Sequence, residues 1–68
     1  MEDKAREAAY KAVRDLGEDP DTYTLQATEE SSIWRFTFLP KQRGLRGGGF
    51  EIAVAKQTYK VNEILRYQ

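Results

Sequence analysis

The chain has 68 residues, with 11 basic and 11 acidic side chains and a formal net charge of zero. That length holds one small domain near the lower limit for a core-stabilised fold, and the charge balance argues against a dedicated nucleic-acid binder. Cysteine and histidine are both absent, which excludes disulfide staples, thiolate and imidazole metal sites, cysteine nucleophiles and the commonest general base.

Residues 1–14 are charged throughout and lack the apolar core of a signal peptide, and no stretch approaches the roughly 20 apolar residues that span a bilayer. The expectation is a cytoplasmic location if the chain is complete, with no membrane partner. Residues 2–16 predict a helix: Ala5, Ala9, Ala12, Val13 and Leu16 recur on one face, and Ala8 widens it. Glu2 with Arg6 and Glu7 with Lys11 have the spacing of stabilising helical ion pairs, and Gly17 is a natural stop. A face made mostly of alanine buries little area, so it calls for a curved sheet packed closely against it.

After the turn at Glu18, Asp19, Pro20 and Asp21 the period changes from 3.6 to 2. Residues 22–28 alternate, with Tyr23, Leu25 and Ala27 on one side. Residues 32–39 form the strongest predicted strand, with Trp34, Phe36 and Phe38 facing the core and Ile33, Arg35 and Thr37 facing away. The next segment, 40–49, is a glycine-rich loop carrying Lys41, Arg43, Leu45 and Arg46. Residues 50–55 predict a third strand with Phe50, Ile52 and Val54 inward. Residues 59–67 fit helical and strand spacing alike. A strand is preferred because the turn at 56–58 is short, but Glu63 and Ile64 break the alternation, so that strand needs a bulge. The expectation is a single α+β domain over 1–68, an N-terminal helix on a four-stranded antiparallel sheet.

This order resembles the cystatin-like arrangement, in which a curved sheet grips one helix. More locally, the run from Gly47 to Val61 is similar to a closing hairpin of PepSY-type domains and of the NTF2-fold immunity proteins of bacterial toxin systems. There a Gly-Gly step leads into an apolar strand and a turn of the form Asp-Lys-x-Thr-Gly-Lys-Val. The segment Ile33-Trp34-Arg35-Phe36-Thr37-Phe38 resembles their strand x-Trp-x-Val-x-Phe. Here Ala55 stands at the turn's Asp, and Tyr59 at the Gly that supplies positive φ. The loop by which true cystatins enter a cysteine protease has no counterpart. The resemblance implies the fold and a non-catalytic inhibitor or immunity role.

Carboxylates remain as candidate acids and bases, but most lie on a helix surface or in turns, where solvation is the default. The expectation is that the protein is not an enzyme and takes no cofactor or metal. The run Gly47, Gly48 and Gly49 precedes a strand rather than a helix and lacks the Lys-Ser/Thr of a phosphate loop, so it reads as a bend into the third strand. Trp34, Phe36 and Phe38 could stack bases, yet facing an alanine-lined helix they read as core. Lys41, Arg43 and Arg46 are either ordinary solvated charge or a partner-contacting loop. The favoured function is protein binding that blocks or neutralises a partner, through Arg35, Thr37, Lys41, Arg43, Leu45 and Arg46. The alternatives are nucleic-acid binding through the loop arginines and a self-associating structural module, a homodimer.

Overall fold

The computed structural model describes residues 2–41 and 49–66. Helix α1 (Glu2–Asp15) leads through a single 3-10 turn (Pro20–Thr22) into four strands, β1 (Tyr23–Glu29), β2 (Ile33–Pro40), β3 (Phe50–Ala55) and β4 (Val61–Arg66). The strands form one open antiparallel sheet in the order β1-β2-β3-β4. Each therefore pairs with its neighbour in sequence, as short connections favour. The result is an α+β fold.

Local chemistry ends the helix. The Val13 carbonyl accepts from the Glu18 amide at 3.2 Å and the Arg14 carbonyl from the Gly17 amide at 2.9 Å. Gly17 sits at φ 86°, and together these make a Schellman stop that satisfies carbonyls the helix would leave orphaned. Leu16, expected to extend the apolar face, is 38% exposed instead: the helix has ended at Asp15, and the turn carries Leu16 off the buried stripe. Lys11 pairs with Asp15 at 3.0 Å. Beyond the stop, Asp19 caps the 3-10 turn, its side chain accepting from the Asp21 amide at 2.9 Å.

Ala5, Ala9 and Val13 are fully buried against Phe36, Phe38, Phe50, Ile52 and Val54. Four rings gather at one end of this core. Phe38 and Phe50 stack with centroids 5.1 Å apart, Tyr23 meets Phe50 edge-on at 4.9 Å, and Tyr10 meets Phe38 edge-on at 6.0 Å. Such pairs add about 0.5–1.5 kcal/mol each beyond their buried area. Small side chains on α1 let the helix sit close to the sheet, and the rings supply the volume the alanines lack. The tyrosines close the cluster because each can keep its hydroxyl near water.

The segment 61–66 is a strand with a register shift. Ala53 pairs with Glu63 but Val54 with Val61, so Asn62 is the extra residue of a bulge. The bulge returns Ile64 to the helix side of the sheet, opposite Ile52, and sends Leu65 to the other side, opposite Glu51. The turn before it brings Tyr59 to φ 58°, the only non-glycine residue in the left-handed region among those described. Its amide donates to the Ala55 carbonyl at 2.9 Å while the Ala55 amide donates to the Lys60 carbonyl at 2.8 Å. Tyr59 thus adopts the backbone conformation that glycine usually supplies in such a turn. At the start of β3, Gly49 has φ 84°, and a β-carbon there would lie 1.9 Å from the Phe38 carbonyl oxygen. Close approach of two strands, rather than phosphate binding, is what this glycine serves.

Candidate functional site

Helix α1 covers one side of the sheet and, among the described residues, no element covers the other. Register lines up Gln26, Thr37, Glu51 and Leu65 across the four strands, and beside them Thr28, Arg35, Ala53 and Glu63. Period-two alternation puts both rows opposite the buried cluster. The surface mixes threonines and charge with apolar groups: Leu39 is 37% and Leu65 44% exposed. Ala53, between Arg35 and Glu63 in the register, is only 4% exposed, since the longer flanking side chains stand above its methyl group.

Arg35 organises the middle of this face. Its Nε donates to Glu30 at 2.7 Å and its Nη2 to the other Glu30 oxygen at 3.3 Å, while Nη1 donates to Glu51. The hydrogen bonds from Arg35 hold the Glu30 carboxyl below its ordinary value. Reciprocally, the bonds to Glu30 and then Glu51 push the Arg35 guanidinium above its own. Near neutral pH both groups are charged, which suits geometric recognition rather than proton transfer. Glu63, on the same face, is exposed.

Arg35 and Thr37 lie two residues apart on β2, on the helix-free face and half-buried. Lys41 follows β2 directly and is exposed. Arg43, Leu45 and Arg46 fall outside the described residues. Leu39 and Leu65 belong to the same face but were not among the expected contact residues. Leu39 shares the parity of Arg35 and Thr37, so alternation alone reveals it. The side on which Leu65 lies depends on the bulge at Asn62, which alternation cannot locate.

An open cleft of about 350 Å³ lies between α1 and the 3-10 turn, lined by Tyr10, Arg14, Glu18, Asp19, Pro20 and Asp21. Two of its three acids have structural work. Glu18 accepts from the Tyr23 hydroxyl at 3.0 Å and lies 3.8 Å from Arg66, and Asp19 caps the turn. Among the described residues no group of three His, Cys, Asp or Glu side chains is placed to hold a metal ion, and no helix is long and apolar enough to cross a membrane. Comparison with protein-family models, with curated proteins and with solved structures finds no match for this chain.

Proposed function

We propose that the protein is a non-catalytic protein-binding module that blocks or neutralises its partner, in the manner of an inhibitor or immunity protein. The observation that carries this reading is the helix-free sheet face, which carries exposed Leu39 and Leu65 together with an arginine already fixed by two carboxylates. Apolar contact area beside a preorganised guanidinium loses little side-chain entropy on binding, and buried arginines are favoured at the energetic centres of protein interfaces. Helix-on-sheet order and the left-handed turn at Tyr59 support the cystatin-like resemblance, and with it the PepSY-type and immunity-protein reading. The loop residues Lys41, Arg43 and Arg46 add positive charge at the end of β2, where they steer an acidic partner.

The test is affinity capture with the purified protein, in high salt and after nuclease treatment, alongside two variants. The wild type is expected to retain a protein that Leu39→Glu and the double reversal Arg43→Glu/Arg46→Glu both release, with thermal stability unchanged in each. Recovery of nucleic acid alone, lost as salt rises, would replace this function with phosphate-backbone binding through the loop arginines.

A further inference from the structure

We infer that β1 is a self-complementary edge along which two copies of this chain pair antiparallel, forming one continuous eight-stranded sheet with both helices on the same side. The inference is independent of the protein-binding reading, because pairing at β1 leaves the helix-free face open.

The two edges of the sheet are built differently. β4 is interrupted by a bulge and carries Glu63 and Arg66, the features by which edge strands discourage pairing. β1 has neither. It pairs with β2 over seven consecutive positions without a shift, and from Tyr23 to Thr28 it bears no charge and no proline. Helix α1 packs over β2 and β3 rather than over β1, so Ala27 on the helix side of β1 is exposed and Leu25 only half-buried.

Hydrogen bonding at the two ends of the β1–β2 ladder fixes which backbone groups face outward. The Lys41 amide donates to the Thr22 carbonyl at 3.2 Å and the Glu30 amide to the Ile33 carbonyl at 2.9 Å. These pairs, 22 with 41 and 30 with 33, place the hydrogen-bonded positions of β1 on even residues. The amides and carbonyls of Tyr23, Leu25, Ala27 and Glu29 consequently point away from β2. The Tyr23 amide donates to the Pro20 carbonyl of the 3-10 turn; among the described residues, the amides and carbonyls of Leu25, Ala27 and Glu29 appear in no backbone hydrogen bond to another element.

Sequence then selects the register. Thr24-Leu25-Gln26-Ala27-Thr28 is symmetric in side-chain character about Gln26. A two-fold axis there, normal to the sheet, sets Leu25 against Ala27 of the second copy as a hydrogen-bonded pair and Thr24 against Thr28 as a close, non-hydrogen-bonded pair. Cross-strand threonine pairs are favourable. Tyr23 falls opposite Glu29, so no like charges meet. Moving the axis to Leu25 would oppose Glu29 to Asp21, and moving it to Ala27 would lay Glu29 over Leu25. Outward polar groups, apolar pairing and charge therefore agree only at Gln26.

The test is sedimentation equilibrium of the intact chain from micromolar to several hundred micromolar, on four proteins. The wild type is expected to shift to twice the monomer mass as concentration rises. Ala27→Pro removes an amide that points outward and leaves the β2 ladder whole; it is expected to stay folded by circular dichroism and monomeric throughout. Thr24→Lys/Thr28→Lys and Thr24→Glu/Thr28→Glu are each expected to be monomeric alone and to form a heterodimer when mixed, since position 24 faces position 28 of the other copy. A wild type that stays monomeric at the highest concentration overturns the inference. So does a dimer that survives Ala27→Pro, or charge variants that fail to pair when mixed.

Discussion

Among the described residues three occupy the left-handed region of backbone space, Gly17, Gly49 and Tyr59, and their environments separate the costs involved. Gly17 ends α1 with open space where a side chain would go, so Gly17→Ala should cost only the backbone strain, about 1 kcal/mol. Gly49 has the same sign of φ, but its β-carbon would strike the Phe38 carbonyl, and neither strand can retreat without losing ladder bonds. Gly49→Ala should therefore cost more than about 3 kcal/mol, most of what a domain this size has. Urea unfolding of the two variants checks the ordering, and equal losses would mean that β3 starts differently. Tyr59 bears the strain in the wild type. Its ring packs against the core cluster and the Lys4 ammonium lies 5.8 Å from the ring centre. Tyr59→Ala loses that packing and keeps the strain, whereas Tyr59→Gly loses the packing and sheds the strain. Glycine should accordingly be the more stable of the two by about 1 kcal/mol in the same unfolding measurement, the reverse of the order at an ordinary loop position.

At the scale of elements, the fold was legible wherever a period spoke and obscure wherever it changed. α1, β2 and β3 follow from alanine spacing and from aromatic and aliphatic alternation, because each buries one stripe or one face. Tyr10 is not legible as part of the core: it stands beside the alanine stripe rather than on it, and only the tertiary arrangement brings its ring to Phe38. Leu16 has the right spacing but stands within the Schellman stop, after the last helical residue Asp15. β4 could be expected as a bulged strand, but not the location of the bulge, and with it the sides on which Ile64 and Leu65 lie. Arg35 and Thr37 were assigned to the helix-free face by alternation. The anchoring of Arg35 to Glu30 and Glu51 was not visible, because it joins residues 5 and 16 positions apart in sequence through strand pairing. Close contact between helix and sheet also makes a prediction. Ala9 is fully buried, and Ala9→Leu adds volume where neither α1 nor the rings can move, so it should destabilise by about 1–3 kcal/mol in thermal or urea unfolding. Were it neutral, the helix would be packed less tightly than the alanine stripe requires.

The whole molecule carries equal numbers of opposite charges, and among the described residues several are held in ion pairs, which sets how its stability follows pH. On the acid side Glu30 matters. Its folded-state pKa is depressed, chiefly by the hydrogen bonds from Arg35, so its contribution is fully present above the unfolded carboxylate value of about 4.5 and is lost as pH falls through the lower folded value. On the alkaline side Tyr23 matters. Desolvation first, then the hydrogen bond to Glu18, raises its phenol above 10.0. The neutral phenol is therefore favoured by folding, and its contribution is full below that pH and fades as pH rises through the folded value. Linkage gives stability a slope only where the two states bind different numbers of protons. These two groups thus shape opposite limbs of the curve and leave the neutral range flat. Unfolding free energies measured from pH 3 to 11 should show Glu30→Gln flattening the acid limb alone and Tyr23→Phe the alkaline limb alone. The independence is the sharper part of the expectation. Glu30 lies at the β1–β2 hairpin while Tyr23 begins β1 at the other end of the strand, and sites so separated, without shared partners, should add. A Tyr23→Phe variant that also altered the acid limb would overturn that independence.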